Sequence, residues 1–228
     1  MITTLFLDLD ETIFDFKLAQ EEALKRAFAQ FDLEPKPEVL ERYDAINKYV
    51  WQLLEEQKAT REEILVMRFR MLLEEYGIQR DAQALQDTYE EELGVGHFYL
   101  PGAKDFLDKV KGKYQLYLVS NGTASVQDSR IGSSDLSSYL DDIFVSETVG
   151  ADKPSIAFFE RCFAKIPPFL KEEAVIIGDS LTSDIRGGLN AGLHTIWFNH
   201  RRQQRRADIV PEYEACSYDE ILQIIEQI

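Results

Sequence analysis

Short apolar runs alternate with helical patterns along much of the chain, and this alternation constrains the fold more than any other feature. Runs rich in β-branched and aromatic residues, typical of buried strands, lie at positions 2–7, 114–119, 143–145, 174–177 and 195–198. Helical patterns fill the intervals after residue 101. Because strands that alternate with helices join by right-handed crossovers into a parallel sheet, we predict an α/β fold with a parallel sheet flanked by helices.

Between the first strand and the others, the sequence shows helical patterns only. Thr60 and Glu63, for example, form a capping-box pattern before an apolar helix. This stretch is too long for a loop between a strand and a helix. We therefore predict an all-helical unit over residues 17–96, inserted into a core domain formed by residues 1–16 and 97–228. We expect this unit over the carboxyl ends of the strands, where open α/β sheets bind ligands.

Polar side chains follow three of the predicted strands, at the point where each strand ends. Asp8 and Asp10 come after the first strand. Ser120 and Asn121 follow the run at 114–119, and Asp179 follows the run at 174–177. Because the carboxyl ends of parallel strands share one edge of the sheet, we expect these residues to meet in one crevice although they are far apart in sequence.

The acidic residues at this edge predict a cation site. Asp8 and Asp10 are separated only by Leu9, and two carboxylates this close repel each other. Asp179 adds a third, and oxygen ligands of this kind favour Mg²⁺. Lys153, after the strand at 143–145, supplies a positive charge. A magnesium ion, a lysine and nearby hydrogen-bond donors together are typical of phosphoryl transfer.

Four motifs in this order resemble those of the haloacid dehalogenase-like phosphohydrolases, and the resemblance covers nearly the whole chain. They are DLDET at 8–12, Ser120 in VSNG, Lys153 in ADKP, and GDSLTSD at 178–184. The resemblance implies a Rossmann-like core domain, and the helical insert is similar to the type-1 cap of the family. An acid at position 10 is typical of the phosphatases and phosphomutases of this family rather than of its dehalogenases.

The resemblance also implies a role for each motif residue. Asp8 is expected to be the nucleophile and Asp10 the general acid and base. The Asp8 side chain, the Asp10 backbone carbonyl and Asp179 are expected to hold Mg²⁺. Binding of the substrate phosphoryl group is expected from Ser120, Asn121 and Lys153. Asp184 is expected to orient Lys153 or the metal ligands, and the alternative is that Asp184 only caps the following helix.

The substrate is predicted to be a small phosphomonoester. The opening DLDETIFDF resembles that of pyrimidine 5′-nucleotidases with a house-cleaning role, and this favours a nucleoside 5′-monophosphate. A sugar-phosphate or phosphoglycolate phosphatase, or a phosphomutase of the same fold, remains open. An alternative from a different class is a non-catalytic binding module on an inherited fold. The intact set of motif residues argues against that alternative.

Composition limits the classes of partner that the protein can bind and indicates its cellular compartment. The chain has 25 Lys and Arg residues against 41 Asp and Glu residues, a formal net charge of −16, which excludes a general binder of nucleic-acid polymers. No apolar run approaches the ~20 residues of a membrane helix, so no membrane partner is expected. Two cysteines without metal-type spacing favour a reducing cytoplasm. Whether the protein is a monomer or a homodimer stays open.

Two further features have more than one interpretation. The aromatic residues Tyr43, Tyr49 and Trp51 in the helical segment either form its core or line a substrate pocket. The basic run at 200–206, HRRQQRR, is expected to be a solvated loop, and the alternative is a contact with a phosphate or a nucleotide.

Overall fold

A six-stranded parallel sheet forms the centre of the α/β part of the protein, in a computed structural model that describes residues 1–228. Its strands are β1 (Thr4–Leu7), β2 (Gln115–Ser120), β3 (Asp142–Val145), β4 (Ala174–Gly178), β5 (His194–Phe198) and β6 (Tyr213–Ala215). Their order across the sheet is β3-β2-β1-β4-β5-β6, and all pairs are parallel. The predicted α/β fold is therefore confirmed. Only the three-residue edge strand β6 was not predicted.

The register of the sheet brings the ends of the central strands to one level. Leu7, the last residue of β1, lies opposite Leu118 of β2 and Ile177 of β4. The residues that follow these positions therefore emerge side by side at the carboxyl edge of the sheet. Asp8, Ser120 and Asp179 all lie at this edge.

Helices cover the sheet and bury the apolar side chains of alternate strand positions. They are α5 (Ala103–Val110), α6 (Ala124–Gly132), α7 (Ser146–Val149), α8 (Ile156–Phe163), α9 (Arg186–Ala191) and α10 (Tyr218–Gln227). Leu5 and Leu7 belong to one hydrophobic cluster, while Phe6 between them belongs to another. This alternation is expected for a strand whose two faces are both covered.

The chain divides into two compact units. One comprises Met1–Phe16 and His97–Ile228 and contains the sheet, and the other comprises Lys17–Gly96. The helices of the second unit are α1 (Phe16–Gln30, which begins at the boundary), α2 (Pro37–Glu55), α3 (Arg61–Glu75) and α4 (Ala82–Leu93). The predicted capping box of Thr60 and Glu63 is present at the start of α3. No helix of the protein is both long enough and apolar enough to cross a membrane.

The aromatic residues of the helical unit divide between its core and its surface. Tyr43 is fully buried, and its ring lies 5.1 Å from that of Phe69 and 5.8 Å from that of Tyr89. Tyr49 is half exposed, and Trp51 is partly buried. Tyr43 is therefore a core residue of this unit.

Candidate active site

Asp8 lies directly after β1, where its side chain is almost completely buried. Its backbone N–H donates to the Ile177 carbonyl of β4 (3.0 Å), which fixes the backbone at the edge of the sheet. The Oδ1 atom accepts a hydrogen bond from Lys153 Nζ (2.7 Å), and Oδ2 accepts one from Thr12 Oγ1 (3.2 Å). Both carboxylate oxygens therefore have a defined direction, as a nucleophile requires.

Lys153 is the only cation in direct contact with this carboxylate, and only 1% of it is exposed. Its ammonium group donates to Asp8, to Asp184 Oδ1 and to the Val119 carbonyl, each at 2.7 Å. Burial by itself lowers the pKa of Lys153, but the carboxylates of Asp184 and Asp8 outweigh burial and raise that pKa above its ordinary value. The side chain is therefore a fixed positive charge with all three N–H donors engaged.

Asn121 holds the backbone of Lys153 in place. Its Oδ1 accepts from the Lys153 N–H (2.9 Å), and its Nδ2 donates to the Lys153 carbonyl (2.8 Å) and to Ser183 Oγ (3.3 Å). The Asn121 side chain thus positions another site residue. Its predicted contact with substrate stays a prediction.

Ser120 is the last residue of β2 and is also buried. Its hydroxyl oxygen accepts from the Gly122 N–H (3.1 Å) and from Gln127 Nε2 (3.0 Å). With these two donors pointing at its oxygen, the hydroxyl hydrogen is available to a further acceptor.

Three carboxylates gather beside the Lys153 ammonium group. Oxygen atoms of Asp8, Asp179 and Asp184 all lie within 4.8 Å of one another. Asp179 follows β4, and its backbone carbonyl accepts from Trp197 Nε1 (2.7 Å). The structure therefore brings Asp8, Lys153, Asp179 and Asp184 together from three separate parts of the chain.

The position of Asp184 depends on a turn of π-helix over Leu181–Ile185. Its Oδ2 accepts from the Ser180 N–H (3.1 Å), while Oδ1 accepts from Lys153. Ser180 is the residue that caps this helical turn, because its hydroxyl accepts from the Ser183 N–H (3.1 Å). The alternative in which Asp184 serves only as a helix cap is therefore wrong.

The crowding of these carboxylates fits a divalent cation. Burial and the neighbouring Asp184 carboxylate raise the pKa of Asp8 to about 7. Burial, Asp8 and Asp184 raise the pKa of Asp179 well above its ordinary value. One ammonium group does not balance three carboxylates, and a hard cation bound by oxygen ligands would remove the repulsion. The carboxylates of Asp8, Asp179 and Asp184 form a set of oxygen donors that suits Mg²⁺. The sequence predicts a different role for Asp184, which is to orient Lys153 or the metal ligands.

The Asp10 side chain lies apart from this cluster. Its Oδ1 accepts from Arg130 Nη1 (2.6 Å), and its Oδ2 accepts from Gln127 Nε2 (2.8 Å). Sequence reasoning missed both of these partners. They lie three positions apart on α6, hence on one face of that helix, and both are fully buried.

Residues 201–206 of the basic run are exposed, as predicted for a solvated loop, whereas His200 is partly buried and stacks on Phe198. Both His200 and Arg201 approach Glu11 of the first motif. The Arg201 guanidinium group donates to Glu11 Oε2 and lies 3.9 Å from a carboxylate oxygen of Asp15. Arg205 instead pairs with Glu214. Arg201 is thus engaged with Glu11 of the first motif and lies near Asp15, which follows that motif.

Comparison with known proteins supports a single family. The Haloacid dehalogenase-like hydrolase family matches residues 5–198. The HAD-hydrolase YfnB of Bacillus subtilis is 38% identical over 97% of this chain and 94% of its own length. The pyrimidine 5′-nucleotidase PynA of Streptococcus pneumoniae is 34% identical over 98% of this chain and 94% of its own length.

The fold agrees with these sequence matches. A crystal structure of YfnB bound to magnesium superposes with a TM-score of 0.94 and covers 98% of each chain. Because the family match spans most of the sequence and YfnB is similar over nearly all of it, this chain belongs to the haloacid dehalogenase-like hydrolase family.

Proposed function

We propose that this protein is a magnesium-dependent phosphatase that hydrolyses nucleoside 5′-monophosphates through a covalent intermediate on Asp8. The observation that carries the proposal is the buried ion pair of Asp8 and Lys153 at the carboxyl edge of the sheet, with two further carboxylates beside it. This arrangement offers a directed nucleophile, a fixed positive charge for phosphoryl oxygens and a set of ligands for a cation.

In the first step, a carboxylate oxygen of Asp8 attacks phosphorus and the bond from phosphorus to the ester oxygen breaks. The leaving oxygen takes a proton from Asp10 and departs as an alcohol. In the second step, Asp10 removes a proton from water, which attacks the aspartyl-phosphate, releases inorganic phosphate and restores Asp8. Lys153 and Ser120 bind the phosphoryl oxygens during both steps.

The proposed magnesium ligands are the carboxylates of Asp8, Asp179 and Asp184, together with the backbone carbonyl of Asp10. When bound, the ion supplies positive charge to the phosphoryl oxygens and offsets the repulsion among the carboxylates. YfnB, which shares this fold at 38% identity, is described in a magnesium-bound structure.

The substrate assignment rests on similarity to PynA. PynA is a pyrimidine 5′-nucleotidase that is 34% identical over 98% of this chain, and the opening DLDETIFDF resembles that of such nucleotidases. We therefore propose pyrimidine nucleoside 5′-monophosphates. We also propose that residues 17–96 are a cap domain that selects the leaving group, and that residues 1–16 and 97–228 are the catalytic core.

Phosphate release from dUMP, dTMP, a hexose phosphate and phosphoglycolate tests this proposal, with each substrate measured in Mg²⁺ and in EDTA. We expect release from the nucleotides that disappears in EDTA and in the Asp8→Asn variant. Activity confined to the hexose phosphate or to phosphoglycolate would refute the nucleotide assignment and leave the reaction class intact. Transfer of phosphate within a sugar without net release would indicate a phosphomutase. Wild-type protein inert on all four esters would refute the enzyme assignment.

A further inference from the structure

One face of α6 holds the Asp10 carboxylate by both of its oxygens. Arg130 Nη1 donates to Oδ1 (2.6 Å), and Gln127 Nε2 donates to Oδ2 (2.8 Å). Each carboxylate oxygen has two lone pairs, so this two-point contact leaves one on each oxygen for a proton. The contact fixes the plane of the carboxylate and still permits proton transfer.

The two side chains that hold Asp10 are themselves fixed. Arg130 is completely buried, and its Nη1 also donates to Gln127 Oε1 (3.0 Å). Its guanidinium group lies over the ring of Phe14, 5.3 Å from the centroid. A planar guanidinium held by a ring and by two acceptors has few rotamers available, so it keeps the carboxylate of Asp10 in one orientation.

Gln127 also connects Asp10 with the second motif. The Nε2 atom that donates to Asp10 donates to Ser120 Oγ as well (3.0 Å). The close approach of Gln127 needs a glycine at position 122, because a Cβ atom there would lie 2.1 Å from Nε2 and 2.6 Å from Cδ. The local sequence therefore makes room for Gln127 at this point.

We propose that Arg130 and Gln127 are positioning residues for Asp10, which hold its carboxylate where it gives a proton to the leaving group and later takes one from water. This inference rests on the proposed phosphatase function. It assigns no direct contact with substrate to either residue. Arg130 acts only through Asp10, so its loss affects the steps in which Asp10 moves a proton. Loss of Gln127 affects the same steps and also removes a donor to Ser120, which adds a loss that both substrates share.

Two substrates that differ in their leaving group separate positioning from a general structural role. The 5′-alcohol of dUMP leaves only with a proton, whereas the nitrophenolate of p-nitrophenyl phosphate leaves without one. The quantity to measure is kcat/KM, because it reports the steps up to loss of the leaving group and excludes hydrolysis of the intermediate. The variants are Arg130→Met, Arg130→Lys and Gln127→Met, with Lys109→Met as a control that removes an exposed cation paired with Asp219.

For Arg130→Met, we expect kcat/KM for dUMP to fall about 100-fold, the lower range of a general-acid contribution, and kcat/KM for p-nitrophenyl phosphate to fall less than about fivefold. Gln127→Met should lower kcat/KM for dUMP about tenfold more than kcat/KM for p-nitrophenyl phosphate, because its donor to Asp10 is neutral and its lost contact with Ser120 affects both substrates. Arg130→Lys should recover about tenfold for dUMP, since it keeps the charge and loses the planar geometry. Thermal melting shows which variants are folded. If Arg130→Met is not folded, Gln127→Met provides the test.

Equal losses on the two substrates in a folded variant would refute the positioning role, and so would no loss on either. Wild-type protein that hydrolyses neither ester in Mg²⁺ would refute the phosphatase function and this inference with it. Active wild-type protein with equal losses in the variants would refute only the assignment of Arg130 and Gln127. The Lys109→Met control should match the wild type on both substrates.

Discussion

Replacement of Lys153 by methionine removes the positive charge from the site while it preserves most of the side-chain volume. The ammonium group is buried and makes three hydrogen bonds of 2.7 Å, two of them to the carboxylates of Asp8 and Asp184. Removal of one partner from a buried ion pair costs about 3–5 kcal/mol, because the remaining charge is left uncompensated. For a chain of this length, that corresponds to a fall in the thermal midpoint of about 10 °C.

The assay is thermal unfolding of the wild type and of Lys153→Met, each in EDTA and in Mg²⁺. We expect Lys153→Met to lose the full ~3–5 kcal/mol of unfolding free energy in EDTA. Because the variant keeps Asp8, Asp179 and Asp184, we expect Mg²⁺ to raise its midpoint by more than it raises that of the wild type. Phosphate release by the variant should be at least about 100-fold below the wild type, since a charge that stabilises the phosphoryl oxygens is absent.

Two outcomes would contradict this reasoning. A loss of less than about 1 kcal/mol in the free energy of unfolding would mean that Lys153 contributes no more than an ordinary surface ion pair. That result would contradict the argument from its burial. Equal effects of Mg²⁺ on both proteins would show that the loss comes from packing rather than from charge. Lys109→Met serves as the matched control, because Lys109 is exposed and pairs with Asp219 at the surface. Its free energy of unfolding should change by no more than the ~1 kcal/mol that such pairs contribute.

Three further changes test separate parts of the structure. Gly178→Ala should lower phosphate release and weaken Mg²⁺ binding measured by calorimetry, because the new Cβ would lie 2.2 Å from Asp184 Oδ2 and displace that carboxylate. Thr60→Ala should lower the free energy of unfolding in urea by about 1 kcal/mol, because it removes the oxygen that accepts from the Glu63 N–H. The Cys162 thiol should resist alkylation at pH 8 in the folded protein, because burial raises its pKa to about 12, and rapid labelling of native protein would contradict its burial.

The sequence was sufficient to predict the central strands and the residues at their ends. Runs such as 5–7 and 174–177 are apolar at every position because both faces of the sheet are covered, and this pattern is distinct from that of a surface helix. The edge strand Tyr213–Ala215 was not predicted, since three residues at the border of a sheet, two of them only partly buried, carry too little apolar periodicity.

The partners of Asp10 show a different limit. The helical pattern after Ser120 was recognisable, but nothing within it indicates that Gln127 and Arg130 are buried. Asp10, their shared partner, precedes them by more than a hundred residues. Only the parallel pairing of β1 with β2 brings α6 beside Asp10. A buried arginine with no acidic residue three or four positions away in its own helix is therefore a reason to search for a carboxylate at the end of an adjacent strand.

Glu11 shows how a contact that is distant in sequence offsets an unfavourable local conformation. Its φ of 63° lies in the left-handed region, which glycine adopts freely and which costs other residues about 1–2 kcal/mol. Here the Glu11 carboxylate accepts from Arg201, a residue of the basic loop after β5. Because glycine has no side chain to form this ion pair, Glu11 gains an interaction that offsets the backbone cost and joins the first motif to that loop.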